Sequence, residues 1–278
     1  SLYLEDTKFI INVPDVSVRE NLEFPEIVDN SEFLRKDNIL KKSLPRALGI
    51  ITNSEIIKER ISFFYNILKE RIFLINHQPS LSIFEFTKID LNLQKVVREK
   101  FQLPENYIFY PSMYLPHKNH RTLIEALYIL KKSNKHQNLK LVCCGNDIGY
   151  LQNLKNFVKK KKLEREIIFL NFVKDEYLPY LYLDSSILVM PSLIGPTNIP
   201  PWEAFKMKKP VIYSKLKGIK SVLGESVYYV DPFNSNEIAA SISKILNETE
   251  LKEELIKKGS LKLEENIKKN EFSIFFKI

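Results

Sequence analysis

Short apolar runs alternate with helix-like stretches along almost the whole chain, and this alternation limits the possible folds more than any other feature. Three runs near the start, KFIINV, LGIIT and RIFLIN, are typical of buried strands. The stretches SEFLRKDNILKKSL and SEIIKERISFFYNI lie between them and are typical of helices, with Ser54 placed to cap the second. Strands that alternate with helices predict right-handed βαβ units, and therefore an α/β fold with helices on both faces of a parallel sheet.

A second alternating series follows an irregular region. Its predicted strands are YIFYP, LKLVCCG, EIIFLNF, SILVMPS, KPVIYS and SVYYVD. Its predicted helices are NHRTLIEALYILKKS, DIGYLQNLKNFVKKKK, DEYLPYLYLDS, PPWEAFKM, NSNEIAASISKIL and LKEELIKKGSLKLEENIKK. Between the two series, HQPSLSIFEFTKID and LNLQKVVREKFQLPEN are only weakly periodic, so we place a domain boundary there.

These patterns predict a partial N-terminal domain at 1–86 and a C-terminal domain at 87–265. We expect the remaining segment, 266–278, to pack back on the N-terminal part. Three strands are few for a complete sheet of this type, so the first domain resembles the back half of one. A chain of 278 residues, 44% hydrophobic, is long enough for two cores.

Composition argues against several classes of protein. No apolar run approaches the ~20 residues of a membrane-spanning helix, and no signal peptide opens the chain. The two cysteines, Cys143 and Cys144, are adjacent on a predicted strand and point to opposite faces, so they form a poor disulfide pair. This cysteine usage is typical of a cytoplasmic protein. With four histidines and no CxxC motif, the sequence predicts no metal site.

The formal net charge of +8 allows nucleic acid, an anionic membrane surface or an acidic small molecule as a partner. The densest basic run, KKKK in NFVKKKKLEREI, lies on a predicted helix with acids just beyond it. We interpret it mostly as a solvated helix face. No RNA-binding signature with interleaved aromatic residues is present, so nucleic acid is disfavoured.

Ligands of open parallel sheets bind beyond the carboxyl ends of the strands, so we expect the ligand site in the loops there. The loop YPSMYLPHKNH places Lys118 just before a helix whose first turn includes Asn119 and His120. A helix N-terminus and a lysine together favour a phosphate group. The alternative is a solvated lysine after a rigid proline turn.

Two further loops carry weaker signals. Gly145 follows the strand LKLVCC and permits close approach of a ligand, but it is equally a plain turn glycine. Phe172 and Val173 end the next predicted strand, where their backbone groups can meet a flat ligand such as a base. Core packing is the alternative for both residues.

The segment PSLIGPTNIPPWEAF combines a rigid loop with an acid in the first turn of a helix. Pro200 and Pro201 suit that first turn, because a missing N–H costs nothing there. Thr197 and Asn198 supply small polar groups upstream. Glu203 either stabilises the helix dipole or accepts hydrogen bonds from a vicinal diol such as that of a ribose.

Taken together, these motifs resemble the retaining glycosyltransferases of family 4, which have the GT-B fold. YPSMYLPHKNH, LVCCGND, IIFLNFVKDEYLPYLY and PPWEAF agree with that family in order and spacing over about 180 residues, and VYYVDPFNSNEIAASISKIL matches its late strand and helix. The likeness extends more faintly to LPRALGIITNSEIIKERI and RIFLINHQPS upstream. The chain is similar to the GPTNIPP-type variants of the family and lacks about a hundred residues of their N-terminal domain.

The resemblance implies roles for individual residues. Lys118 matches the lysine that contacts the donor diphosphate, and Glu203 matches the second acid of the Glu-x7-Glu motif, which holds the ribose. These two and Asn198 are the catalytic candidates. The nucleotide-sugar-binding candidates are Lys118, Gly145, Phe172, Val173, Thr197, Asn198, Ile199 and Glu203.

Three departures from the family pattern bear on these roles. The first acid of the motif is replaced by Gly195, so contact with the donor sugar falls to Asn198 and neighbouring backbone. The family usually has an arginine five residues before the lysine that matches Lys118, and this chain has Met113 there. Where the family has His-Asp, this chain has Pro14 and Asp15. Asp15 and Arg19 are candidates for the cleft, but an aspartate that caps a turn is the favoured interpretation.

The resemblance predicts a metal-independent, cofactor-free glycosyltransferase that moves a sugar from a nucleotide diphosphate sugar to an acceptor hydroxyl with retention. Surface polysaccharide or lipopolysaccharide synthesis is the expected role. The expected partners are the donor, a glycan or lipid-linked acceptor, the inner face of the membrane and a second copy of the chain, with no nucleic acid. The rival hypothesis is a non-catalytic protein, derived from such an enzyme, that binds a nucleotide sugar or a partner.

Overall fold

The computed structural model describes residues 7–28, 32–195 and 198–269. Their contacts divide into two compact units. Unit 1 comprises the described residues within 1–77, 194–198 and 265–278, and unit 2 comprises 78–193 and 199–264. The division falls at His77/Gln78, nine residues before the boundary that we predict from the sequence.

Unit 1 contains a parallel sheet in the order β1-β2-β3. Its elements are β1 (Ile10–Asn12), α1 (Pro25–Val28), α2 (Glu32–Ser43), β2 (Gly49–Thr52), α3 (Glu55–Tyr65) and β3 (Ile72–Leu74). Ser54 caps α3, as predicted, because its side chain accepts a hydrogen bond from the Ile57 N–H. The core is aliphatic and includes Leu44, Ile50, Ile61 and Ile72, all at most 1% exposed.

Unit 2 contains a six-stranded sheet in which every pairing is parallel. Its strands are β4 (Tyr107–Pro111), β5 (Lys140–Cys144), β6 (Ile167–Leu170), β7 (Ile187–Met190), β8 (Val211–Ser214) and β9 (Tyr228–Val230). The order is β6-β5-β4-β7-β8-β9. Four of these strands, β4, β5, β7 and β8, are buried along almost their whole length, as expected for a sheet covered on both faces. All six strands predicted from the second series are confirmed.

Helices fill the connections of unit 2. They are α4 (Leu81–Phe84), α5 (Leu91–Phe101), α6 (His120–Lys132), α7 (Leu151–Lys161), α8 (Leu178–Asp184), α9 (Pro200–Lys206), α10 (Ile219–Leu223), α11 (Ser235–Asn247) and α12 (Thr249–Lys269). The last residues of α12, from Glu265, belong to unit 1. There the Asn266 side chain donates a hydrogen bond to the His77 carbonyl, 2.6 Å away.

The interpretation of LNLQKVVREKFQLPEN as irregular is wrong, because residues 91–101 form α5. Asp90 caps this helix by accepting hydrogen bonds from the N–H groups of Asn92 and Leu93. Two apolar residues of α5, Leu91 and Val96, are 74% and 48% exposed. These residues blur the amphipathic pattern that would otherwise predict a helix.

Among the helices of the described ranges, none is long and apolar enough to cross a bilayer.

Candidate active site

The strand order of unit 2 creates a crevice next to β4. The chain runs outward from β4 to β5 and β6, then returns to β7 on the other side of β4. In doubly wound sheets, ligands bind at the carboxyl ends of the strands where the order reverses in this way. The loops after β4 and β7 flank that point; the first contains Lys118, and the second leads to Glu203 in the first turn of α9.

Lys118 ends a 3-10 turn, Pro116–Lys118, directly before α6. Its N–H donates to the Leu115 carbonyl at 3.1 Å, and its carbonyl accepts from the Tyr110 hydroxyl at 2.6 Å. Hydrogen bonds therefore hold both the N–H and the carbonyl of Lys118 in place. Its half-buried side chain is attached to this ordered backbone next to the N-terminus of α6.

Asn119 forms hydrogen bonds that connect three loops, a role that the sequence does not predict. Its side-chain amide donates to the carbonyls of Pro191, at 2.9 Å, and Pro232, at 2.7 Å, while its Oδ1 accepts from Thr122. The loops after β7 and β9 are thereby bound to the start of α6. Asn119 is left-handed, with φ at 58°, a conformation that asparagine tolerates better than most residues.

His120 is fully buried below this loop. Its ring lies against Tyr110 and Tyr114, with centroids 4.6 and 5.3 Å away. Burial, with the nearby charges of Lys118 and His117, lowers the pKa of His120 to about 3. The imidazole is therefore neutral near pH 7, and it adds no positive charge to that of Lys118.

Glu203 lies in the first turn of α9, as predicted, and is only 4% exposed. Its two carboxylate oxygens have separate donors: Oε1 accepts from the Ser80 N–H at 3.3 Å, and Oε2 accepts from the Tyr182 hydroxyl at 2.6 Å. Burial and the nearby carboxylate raise the pKa of Tyr182 well above its ordinary value, so its hydroxyl stays a donor. Both hydrogen-bond donors, Ser80 and Tyr182, lie outside α9. A glutamate that only stabilised the helix dipole would not need donors from other elements.

Gly145 lies against the protein's own backbone. A Cβ atom at this position would be 2.2 Å from the Ser112 carbonyl oxygen, so the close packing of the loops after β4 and β5 accounts for the glycine. Its role towards a ligand has no support from this geometry and stays a prediction.

Phe172 and Val173 lie beyond the end of β6, which stops at Leu170, two residues earlier than predicted. The Phe172 side chain is 70% exposed, so the core-packing alternative is wrong for this residue, whereas Val173 is buried at 7%. Contact of this backbone with a base stays a prediction.

The loop before α9 contains an internal hydrogen bond between two of its own residues. The Asn198 side-chain amide donates to the Gly195 carbonyl at 2.7 Å, and Gly195 has φ at +98°. A glutamate at position 195 would be strained in this conformation, which accounts for the glycine. Ile199 is 40% exposed, and its carbonyl accepts the first hydrogen bonds of α9. Thr197 lies outside the described residues.

The upstream candidates are engaged within unit 1. Asp15 accepts hydrogen bonds from the backbone and hydroxyl of Ser17, at 3.0 and 2.6 Å, so it caps a turn as favoured. Arg19 forms a two-pronged ion pair with the buried Asp37, at 2.6 and 2.7 Å. The expectation that Arg19 serves the cleft therefore receives no support, because its guanidinium is committed to Asp37.

Comparison with known proteins shows the family. The model of the glycosyl transferases group 1 matches residues 94–262, and the chain belongs to that family. The O-antigen chain mannosyltransferase RfbU of Salmonella typhimurium is 30% identical over 207 residues, covering 74% of this chain and 53% of that protein. The chain thus spans about half the length of this relative.

Solved structures show the same fold. HepE from Anabaena, in complex with UDP and glucose, matches with a TM-score of 0.73 and 17% identity, covering 95% of this chain and 69% of that one. WaaG, a glycosyltransferase involved in lipopolysaccharide biosynthesis, matches with a TM-score of 0.74 and 15% identity, covering 92% and 70%. The predicted fold class, α/β of the GT-B type, is confirmed.

Proposed function

We propose that this protein transfers a sugar from a nucleotide diphosphate sugar to an acceptor hydroxyl, with retention at the anomeric carbon. The observation that carries the proposal is the pairing of two loops at the crevice beside β4. One loop holds Lys118 at the entrance of α6, and the other leads to the buried carboxylate of Glu203. A cation and a hydrogen-bond acceptor on adjacent loops suit the two polar parts of a nucleoside diphosphate.

In this proposal Lys118 stabilises the negative charge that develops on the departing diphosphate. The N-terminus of α6, a helix of 13 residues, adds positive potential next to the same group. Charges fixed in advance where charge develops in the transition state supply a large part of catalysis in many enzymes. Lys118 and the helix end can serve without a metal ion, and we propose metal-independent transfer on this basis.

Glu203 is proposed to hold the ribose. Its oxygens already accept from Ser80 and Tyr182, and each carboxylate oxygen can accept a second hydrogen bond. A ribose diol would supply these donors. Thr197, Asn198 and Ile199 are proposed to meet the diphosphate and donor sugar. Phe172 and Val173 are proposed to meet the base.

The proposed biological role is surface polysaccharide or lipopolysaccharide synthesis at the cytoplasmic face of a membrane. RfbU, the relative at 30% identity, is an O-antigen chain mannosyltransferase, and WaaG acts in lipopolysaccharide biosynthesis. The acceptor would then be a glycan or a lipid-linked glycan. A second copy of the chain is a further proposed partner.

The decisive test removes the charge of Lys118. We expect Lys118→Ala to erase most of the preference for UDP or GDP over the bare nucleoside, because only the diphosphates contact the lysine. Added salt should weaken the wild type more than the variant, since the lost interaction is between charges. Titration calorimetry with UDP, GDP, uridine and guanosine measures both effects.

Lys217→Ala is the matched control, because Lys217 is an exposed lysine in the loop after β8. It removes one positive charge from the same unit but should leave the preference for diphosphates unchanged. If Lys118→Ala discriminates between UDP and uridine as well as the wild type does, Lys118 is a surface lysine and the phosphate assignment is wrong.

One observation favours the rival, a non-catalytic protein that binds the nucleotide sugar. Gly195 replaces the first acid of the family motif, and its conformation disfavours any acid there. A transfer assay with a panel of nucleotide sugars and a lipid-linked acceptor separates the two proposals. Donor binding without transfer to any acceptor would favour the rival.

A further inference from the structure

The net charge of this protein is concentrated in one segment of unit 2. Residues 120–163, from α6 through α7, contain ten lysines and arginines against two acids, an excess of eight. Since the formal net charge of the whole chain is +8, the rest of the sequence is balanced. The donor site uses only Lys118, which lies outside this segment, so the proposed function leaves the excess charge unexplained.

The structure places much of this charge on one surface. Helices α6 and α7 pack side by side, and four lysines of α7 and the turn after it are exposed: Lys155, Lys159, Lys160 and Lys162. Arg121 is exposed on the adjacent first turn of α6. Glu125 is the one acid of α6, and its carboxylate pairs with Lys161 at 2.7 Å. We call this surface, formed by α6, α7 and the turn before α11, the basic face.

Aromatic rings lie between the cations of the basic face. Arg121 is stacked on the Phe157 ring, 4.4 Å from its centroid, and Lys161 lies over the Tyr128 ring at 4.5 Å. These contacts hold the cations in place by cation–π attraction. They also cover ring faces that a nucleic-acid base would need for stacking.

A cleft of about 400 Å³ opens where the three elements meet, and Phe233 forms one side of it. Phe233 precedes α11 and is 77% exposed, although phenylalanine is usually buried. The other lining residues are mostly cationic or aromatic and include Arg121, Phe157, Lys160 and Lys161. An exposed phenylalanine surrounded by lysines is the combination that proteins use at the boundary between lipid headgroups and acyl chains.

We propose that the basic face binds the surface of a membrane that contains anionic phospholipids. The lysines contact the headgroups, and Phe233 inserts between them. This inference rests on the proposed function for its biological sense, because a lipid-linked acceptor requires the enzyme to work at a membrane. The covered rings argue against nucleic acid, and the spread of lysines over a helix surface suits a fluid layer of headgroups better than one fixed anion.

The test is sedimentation of the whole chain with vesicles of phosphatidylcholine alone or mixed with phosphatidylglycerol. We expect binding only to the mixed vesicles, with affinity falling as salt rises. Charge reversal at three exposed positions, Lys159→Glu, Lys160→Glu and Lys162→Glu together, should lower binding by about a hundredfold or more, since each lysine near an anionic surface contributes about fivefold. Phe233→Ser should lower it severalfold.

The matched control reverses three exposed lysines of α12, Lys257, Lys268 and Lys269, to glutamate. This variant has the same net charge as the first, so equal losses in both would mean that overall charge alone acts, and would overturn the proposal. Unchanged binding after reversal of Lys159, Lys160 and Lys162 would overturn it as well. Tighter binding of duplex DNA or of an acidic protein than of the mixed vesicles would assign the face to that partner instead.

Calorimetry with UDP and GDP separates this proposal from the proposed function. The variant reversed at Lys159, Lys160 and Lys162 should bind nucleotide as the wild type does, because these residues lie outside the donor site. If the wild type binds vesicles but no nucleotide, the donor site is wrong and the basic face stands. If it binds nucleotide but no vesicles, the opposite holds.

Discussion

Two carboxylates, one in each unit, are almost fully buried but have opposite surroundings. Asp37 in unit 1 is 3% exposed and is bound by two cations and a hydroxyl, from Arg19, Lys41 and Tyr65. Glu203 in unit 2 is 4% exposed, and the groups that donate to its two oxygens, Ser80 N–H and the Tyr182 hydroxyl, are both neutral. The negative charge of Asp37 is therefore neutralised within the protein, whereas neither donor of Glu203 neutralises its charge.

The pKa shifts around Asp37 agree with this difference. Burial alone would raise the pKa of Asp37, but hydrogen bonds from Lys41, Arg19 and Tyr65 lower it below its ordinary value. Burial and Asp37 together raise the pKa of Tyr65 to about 12, so its hydroxyl remains a donor. A carboxylate with its partners complete stabilises the fold, whereas one held only by neutral donors can accept more hydrogen bonds from a ligand.

The largest effect that this comparison predicts is on stability in unit 1. Arg19→Ala should lower the free energy of unfolding by about 3 kcal/mol, the low end for breaking a buried ion pair, because Asp37 loses its two-pronged partner but keeps Lys41 and Tyr65. Nucleotide affinity should not change. Calorimetric unfolding and titration with UDP measure the two quantities.

Arg60→Ala is the matched control, since the Arg60–Glu20 pair in the same unit is 21% and 24% exposed at its side chains. The Glu20 side chain is 24% exposed, against 4% for Asp37, so this pair should contribute only about 1 kcal/mol or less. If Arg19→Ala and Arg60→Ala lose the same unfolding free energy, the burial of Asp37 does not strengthen its ion pair.

The next effect concerns binding in unit 2. Glu203→Ala should weaken the affinity for UDP or GDP by about 1.5–3 kcal/mol, the worth of hydrogen bonds to a charged acceptor. Glu237→Ala, in the first turn of α11, removes an acid whose position suits only the dipole role, worth about 0.3–1 kcal/mol of stability. A Glu203→Ala variant that binds nucleotide normally but melts earlier would assign Glu203 to the helix dipole.

Tyr182→Phe tests whether a neutral donor positions Glu203. The change should lower nucleotide affinity by about 1–2 kcal/mol, because the Oε2 atom loses its hydroxyl partner and the carboxylate is less well oriented. Tyr107→Phe is the control, since the buried Tyr107 hydroxyl donates instead to the Leu181 carbonyl at 2.6 Å. We expect Tyr107→Phe to lower the free energy of unfolding and to leave nucleotide affinity unchanged. Loss of affinity in both variants to the same extent would contradict a positioning role for Tyr182.

The smallest effect is a pH dependence carried by Asp37. Because its folded-state pKa lies below the ordinary 3.8, its ionisation stabilises the native state above that pH. This contribution is lost as pH falls from 3.8 through the folded pKa. The difference in unfolding free energy between the wild type and Asp37→Asn should therefore be constant near neutral pH and shrink below 3.8. A difference that grows on acidification would reverse the assigned sign.

The sequence predicts the described strands of both sheets, because each contains a short apolar run. The signal is clearest for β4, β5, β7 and β8, which are buried along almost their whole length. It misses α5, whose exposed Leu91 and Val96 disguise the helical period, and the short helices α1, α4 and α10, of four or five residues each. Lys118 lies just before α6 and Glu203 lies in the first turn of α9, as predicted, because proline and polar residues mark these helix starts. Their roles towards a ligand stay predictions.

The partners of these residues cannot be predicted in the same way. Ser80 and Tyr182 reach Glu203 from positions 123 and 21 residues away in the chain, and local patterns carry no information about such contacts. The same holds for Asn119, whose two carbonyl acceptors are 72 and 113 residues away. Its left-handed conformation is the one local sign, and sequence alone does not show it.

The contacts of Asn119 have a consequence for how this protein can diverge. Surface loops ordinarily gain and lose residues freely among relatives. Here one amide group spans the carbonyls of Pro191 and Pro232 from the start of α6, so an insertion close to any of these three points would break at least one hydrogen bond. Changes of donor preference should therefore arise by substitution in these loops rather than by changes in their length.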